Sequence, residues 1–188
     1  MYGQYFRLAA EAKAFIPLGR GSELVCRAYL GWILPYNSPE ELPLEARLYT
    51  GGTNSNRGWQ NNTLGPGRYP LDQSSIVPIG GDYKLELNAE YRRDLFNPLE
   101  LAVFVDAGNV WFAPGSDFPN DQAVLSKESL SLGVAGGIGA RFDFNFLILR
   151  LDVAQQLFAP DLNRWVVNGV DDIGGERLQF NLGIGYPF

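Results

Sequence analysis

Histidine is absent from the 188 residues, which removes imidazole acid–base chemistry and His-ligated metals. Cys26 is the lone cysteine, so neither an internal disulfide nor a thiolate metal cluster can form. Basic residues are outnumbered 15 to 21 and the net charge is −6. That balance argues against nucleic acid, whose binding needs a basic face. No run approaches 18 apolar residues, so no transmembrane helix is expected. Met1 leads straight into strand-like sequence with no basic region and apolar core after it, so an exported form is expected to have lost a leader or a longer N-terminal region. What is present is 46% hydrophobic residues, 22 glycines and 13% aromatics. Such a chain is not grossly disordered, and the pairing of glycine with aromatics suits β architecture with tight turns. The mean hydropathy of −0.10 looks soluble, but that average hides barrels whose two faces cancel. The length suits one domain or a piece of a larger one.

Period-2 alternation dominates the chain. It predicts strands at about 4–16, 22–32, 44–51, 82–96, 99–112, 128–143, 146–157 and 176–188. In the fourth, Lys84, Glu86, Asn88, Glu90, Arg92 and Asp94 oppose Leu85, Leu87, Ala89 and Tyr91. In the eighth, Leu178, Phe180, Leu182, Ile184, Tyr186 and Phe188 oppose Arg177, Gln179, Asn181, Gly183 and Gly185. A connector with Pro35, Pro39 and Pro43 follows the second strand, and a Gly/Asn/Pro loop occupies 52–81. A loop of that length in a compact domain is expected to be functional or disordered.

Eight long antiparallel strands, short turns at one end apart from the Pro-rich connector, and mostly long loops at the other predict an all-β transmembrane barrel. Aromatics near strand ends, among them Phe15, Trp32, Phe96, Trp111, Phe112, Phe144, Phe158 and Tyr186, suit interfacial girdles. A soluble lipocalin-like barrel would put the apolar face inside, and a β-sandwich is the other alternative. Alternation does not say which face points in. A continuous apolar face opposed by charges and glycines is covered more easily by lipid than by a small lumen.

The third predicted strand runs into Gly51-Gly52-Thr53-Asn54-Ser55-Asn56-Arg57-Gly58-Trp59, and Leu64-Gly65-Pro66-Gly67 follows. Asn88-Ala89-Glu90-Tyr91-Arg92, then Phe104-Val105-Asp106-Ala107-Gly108-Asn109-Val110-Trp111, then Arg141-Phe142-Asp143-Phe144 come next, and Gln179-Phe180-Asn181-Leu182-Gly183 leads to Phe188. In this order the motifs resemble the Omp85 superfamily, the bacterial surface antigen D15 barrel. Residues 1–188 resemble the C-terminal half of such a barrel, with 52–81 as its luminal loop and no POTRA domain present. The loop motifs look closest to the TamA-like branch of Bacteroidetes. The resemblance implies sixteen strands, an outer-membrane location in a Gram-negative bacterium, and lipids, unfolded outer-membrane proteins, the N-terminal barrel half and POTRA domains as partners.

Arg57 sits among small neighbours at the loop tip, so its guanidinium can reach inward. Inside a barrel it needs carboxylates, because an unpaired buried charge is prohibitive. Glu90 and Asp106 lie on the polar faces of the next two strands and are the partners the resemblance implies. Arg57, Gly58, Trp59, Glu90 and Asp106 thus form an expected loop clamp, conformational and not catalytic. A solvated loop arginine beside two ordinary luminal acids is the alternative. Gly136-Gly137-Ile138-Gly139 lacks dinucleotide spacing, and Asp171-Asp172 lacks EF-hand spacing. Luminal acids have no nucleophile–base arrangement beside them, so no enzyme, cofactor or metal is expected. The C-terminal Phe188 resembles an outer-membrane assembly signal, and Gly183 matches the glycine where the family's last strand bends from the first.

Three functions compete: an Omp85-type insertion or translocation module working through a lateral seam, a structural eight-stranded barrel or anchor, and a barrel holding a small ligand. A loop of about thirty residues does not fit inside an eight-stranded lumen, which its own side chains fill. If Arg57 reaches Glu90 and Asp106 from inside, the working barrel is wider than this chain alone. It is then either half of a sixteen-stranded barrel or one partner of a homodimer.

Overall fold

The computed structural model describes residues 4–37, 42, 44–70, 78–116, 118, 120–166 and 177–188. Pro39, Pro43 and Asp171-Asp172 lie outside them. The alternating sequence forms one antiparallel sheet of β1 (Gln4–Gly19), β2 (Ser22–Asn37), β3 (Tyr83–Phe96), β4 (Leu99–Trp111), β5 (Gly133–Asp143), β6 (Ile148–Ala159), the two-residue β7 (Arg164–Trp165) and β8 (Leu178–Ile184). Strands β1 to β6 pair in sequence order, and β7 and β8 both pair with β6. No ladder joins β1 to β8 among the described residues, so the sheet is an open, curved wall. All sixteen residues of β1 are exposed.

The segment 44–51 is not a wall strand, contrary to its alternation. It begins as a short 3-10 turn, Leu44–Ala46, and touches the rest through isolated bridges, Leu48 to Gly81 and Thr50 to Leu64. Strand β2 is longer than predicted and pairs directly with β3, Val25 opposite Glu90 and Ala28 opposite Leu87. The sheet still counts eight strands because of β7, which falls where a loop was expected. Moving 44–51 out of the wall regularises the connections. The tight turns at 20–21, 97–98 and 144–147 now share one end, and the long segments 38–82, 112–132 and 160–177 share the other.

The faces sort as the hydropathy pattern requires. Leu87, Leu101, Val103, Val105, Ile138, Leu151, Phe180 and Leu182 are exposed, whereas Glu86, Glu90, Asp106, Arg141, Arg150 and Asp152 are buried on the concave side. An apolar convex face with a charged, desolvated interior is the reverse of a lipocalin. Phe96 and Phe144 are exposed near the tight turns, as a girdle requires. Trp111 and Phe112 are not girdle residues: both are buried beneath the long loops, with Trp111 Nε1 donating to the Ser129 carbonyl at 3.0 Å.

Val105 lies midway along β4 on the convex face. Val105→Arg is expected to cost about 2–4 kcal/mol of folding free energy in a bilayer, as for a cation at the midplane of a barrel's lipid face. Folding titrations in lipid vesicles read this directly. A change near zero would place the convex face in water.

Candidate functional site: a buried loop tip on the inner wall

Between β2 and β3, residues 44–70 fold back along the concave face. Their descending arm is held by reciprocal backbone bonds, Leu48 N to the Gly81 carbonyl at 2.9 Å and Gly81 N to the Leu48 carbonyl at 2.8 Å. Leu48 packs with Ile33, Leu42 and Val110. Gly51 and Gly52 then turn the chain at φ of 102° and 107°, a region that β-carbon-bearing residues avoid. Gly52 N donates to the Asn56 and Trp59 carbonyls at 3.1 and 3.0 Å, closing a compact tip that presents Arg57 to the wall.

Arg57 is fully buried. Its Nε and Nη2 fork onto Asp106 Oδ2 and Oδ1 at 2.8 and 2.9 Å, and its backbone N–H donates to Oδ2 at 3.1 Å. Nη1 donates to Glu90 Oε2 at 2.5 Å. The guanidinium carbon stands 3.4 Å from the centroid of the Phe104 ring, so one plane of the cation lies on an aromatic face. Burial alone would disfavour the charged form. The hydrogen bonds and charge of Asp106, then of Glu90, outweigh it and raise the Arg57 pKa above its ordinary value. The inward placement of Glu90 and Asp106 follows from strand parity. Asp106 is opposite Asn88, and Glu90 is opposite Phe104.

Glu90 is shared. Arg92 Nε reaches its Oε1 at 2.7 Å and Arg141 Nη2 its Oε2 at 2.8 Å. Arg141 Nη1 lies 3.1 Å from Asp152 Oδ1, and Arg150 Nε lies 3.0 Å from Asp152 Oδ2. Arg150 Nη2 returns to the loop, donating to the Thr53 carbonyl at 2.8 Å and Asn54 Oδ1 at 2.9 Å. Further side chains catch main-chain carbonyls of the tip: Asn88 that of Ser55, Asn181 that of Arg57 and Gln156 that of Gly58, at 2.8, 2.9 and 2.8 Å. Glu86 accepts from Thr50 Oγ1 at 2.6 Å and from Ser55 Oγ.

The structure brings Arg57, Glu90 and Asp106 together. Gly58 lies against Ala135 so closely that a β-carbon there would collide with the alanine methyl. Trp59 is apart from the charges, buried with Leu64 and Ala135. Phe104, Arg150, Gln156 and Asn181 were not singled out for the site. Phe104 carries the clearest signal, a large aromatic on the face that also holds Glu100, Asp106 and Gly108.

Two expectations about the last strand are corrected. Gly183 is not the bend. It pairs in register with Arg150, and a β-carbon on it would stand 2.6 Å from Arg150 Nη2, so its role is to leave room for that guanidinium. The bend falls at Gly185, where φ is 80°. Phe188 and Tyr186 do not continue the outward apolar row. Beyond Gly185 the Tyr186 ring lies 4.3 Å from the Arg92 guanidinium, and the Phe188 ring 5.7 Å from that of Arg57. A positive-φ glycine reverses the side-chain alternation that strand periodicity assumes.

An open antiparallel wall with a lipid-type convex face, and a loop tip forked onto acids of its concave face, defines part of a large transmembrane β-barrel. A family model described as the Omp85 superfamily domain matches residues 2–188, and the chain belongs to that superfamily. It is a protein of the Gram-negative outer membrane. The outer membrane protein assembly factor BamA of Neisseria meningitidis serogroup B (strain ATCC BAA-335 / MC58) is 29% identical over 113 residues, 57% of this chain and 14% of that protein. The crystal structure of BamA from Haemophilus ducreyi lacking POTRA domains 1-3 superposes with a TM-score of 0.66 at 19% identity, over 96% of this chain and 35% of that one. The chain thus spans a minor part of the length of both.

Arg57→Ala strands the buried Asp106 carboxylate and takes one of three guanidinium partners from Glu90, and breaking a buried pair on one side typically costs about 3–5 kcal/mol. Amide exchange over 52–60 is expected to rise steeply, with β3 and β4 still protected. Arg57→Lys is expected to recover little, since an ammonium cannot make the two-pronged bond to Asp106. Wild-type exchange in Arg57→Ala would show that the fork does not hold the loop. Gly183→Val is expected to push Arg150 off the Thr53 carbonyl and to raise exchange at 52–54 ahead of 57–60. Uniform protection across 52–60 in that variant would count against the space-making role.

Proposed function

We propose that this chain is the C-terminal part of an Omp85-type barrel that inserts or exports β-rich outer-membrane substrates through a lateral seam beside β8. The observation that carries the reading is the terminal strand. β8 has seven residues, where a membrane-spanning strand needs about 9–11. Its ladder runs to β6 alone among the described residues. A short, singly paired strand is a weak seam, and its free edge can template an incoming strand by β-augmentation. The free edge of β1 is where the remaining barrel strands join, with POTRA domains preceding them. Lipid and unfolded outer-membrane proteins are the partners. The Arg57 clamp acts conformationally, pinning the loop to the wall, and no catalytic role is assigned to any residue.

The ladder suggests a selective test. Gly185 N donates to the Ile148 carbonyl and Gln156 N to the Arg177 carbonyl, so odd-numbered backbone groups of β8 face β6 and even-numbered ones face the free edge. Leu182→Pro therefore removes an edge donor while sparing the β6 ladder. The full-length protein in vesicles should accelerate folding of a urea-unfolded outer-membrane barrel substrate. Leu182→Pro should lower that acceleration severalfold, with the variant itself still folded. Full acceleration in Leu182→Pro would remove the seam from the reading. No acceleration by the wild type would leave a structural barrel.

A further inference from the structure

We propose that Asn181 is a positioning residue that couples the terminal strand to the loop tip, so that departure of β8 from the wall and release of the loop are one transition. The inference rests on the lateral-seam reading and specifies how that seam is regulated.

The inner face of the terminal segment consists of Arg177, Gln179, Asn181 and Gly183. Three of these four positions serve the loop. Asn181 is buried, and its Nδ2 donates to the Arg57 carbonyl at 2.9 Å. Arg177 Nη1 donates to Gln156 Oε1 at 2.9 Å, and the same amide donates through Nε2 to the Gly58 carbonyl at 2.8 Å. Gly183 leaves the space in which Arg150 reaches the Thr53 carbonyl. Among the described residues, Asn181 alone bonds the loop directly from β8.

The bond is to main chain, at the residue whose side chain carries the fork. Arg57 is therefore held from two sides: its guanidinium by β3 and β4, its carbonyl by β8. If β8 swings out, the carbonyl loses its donor in a place where water is excluded. If the loop lifts, the Asn181 amide is left without its partner beside Asp152, its cross-strand neighbour. Either movement exposes an unsatisfied buried polar group, a penalty that each movement relieves for the other. The Phe188 ring beside the Arg57 guanidinium adds a contact of the same sense.

Amide exchange on the full-length protein in nanodiscs tests this without reference to substrate folding. In the wild type, the amides of 52–60 and of 178–184 should open with the same free energy and the same dependence on denaturant. Asn181→Asp replaces the donor by an acceptor of equal size. It should speed exchange in both segments by at least the roughly 5- to 30-fold of one lost buried hydrogen bond, because the new carboxylate also faces Asp152 across the ladder. Gln179→Ala, on the same face without a bond to the loop, should change neither. In the pair with Arg57→Ala the two effects should be strongly non-additive. If the two segments open independently in the wild type, or if Asn181→Asp loosens one and leaves the other protected, the coupling does not exist. That result would leave the insertion reading intact. Conversely, coupled exchange in a protein that folds no substrate would defeat the insertion reading alone. Exchange over β3–β5 reports whether the variants are folded, and the wild-type comparison needs no variant.

Discussion

A guanidinium with no access to water must be neutralised where it stands, and the interior of this wall is organised around that requirement at Arg57. Asp106 takes two of its nitrogens and Glu90 a third. Glu90 also receives Arg92 and Arg141; Arg141 approaches Asp152; Asp152 holds Arg150; and Arg150 returns to the loop at Thr53 and Asn54. The charges form a closed circuit from Arg57 through β3, β5 and β6 and back to the loop, with Asp106 of β4 as a branch at Arg57. A shift of any one strand breaks contacts on both of its sides. The loop is consequently part of the wall's own electrostatics, and its removal takes from Asp106 the cation that neutralises it.

Large inward side chains can converge on one point only if their neighbours are small. Phe104 is directly opposite Gly137, Glu86 opposite Gly108, Asp152 opposite Gly139 and Arg150 opposite Gly183. At Gly183 the missing β-carbon is what admits the guanidinium. Gly137 and Gly139 of β5 are thus packing partners of Phe104 and Asp152. Their role is the small-against-large alternation that fills a barrel interior.

Much of this was legible because strand geometry has one period. The inward turn of Glu86, Glu90 and Asp106 needed only parity, and the meeting of Glu90 and Asp106 with Arg57 needed only that a buried arginine find acids. Two features escaped for the same reason. Residues 44–51 do alternate in burial, with Ala46, Leu48 and Thr50 buried in turn. They alternate because the loop arm packs into the mouth of the wall, as Leu48 does on Ile33 and Val110, and a hydropathy pattern cannot separate that from packing against lipid. Loop lengths carried the missing information. With 44–51 counted as a crossing, short and long connections mix at the two ends; without it they separate. At the C-terminus, periodicity extrapolated through Gly185, and one positive φ moved Tyr186 and Phe188 to the arginine side. A glycine at that point signals a choice of conformations, and no pattern in the flanking residues says which is taken.

The terminal strand has two properties that pull in opposite directions. Its ladder is short, with seven registered pairs to β6 against ten between β5 and β6. Apart from the two-residue β7, backbone pairing alone would make it the first strand to fray. Its inner side chains, however, are tied into the loop and the arginine circuit, which resist the same movement. A strand weakly held by its ladder and firmly held by side chains responds to whatever loosens those side chains, since the barrier to its departure lies in few, specific bonds. Had β8 been long and fully laddered, opening would require breaking a row of backbone bonds that no single interior event could release. The shortness of the strand is what lets the state of the loop decide the state of the edge.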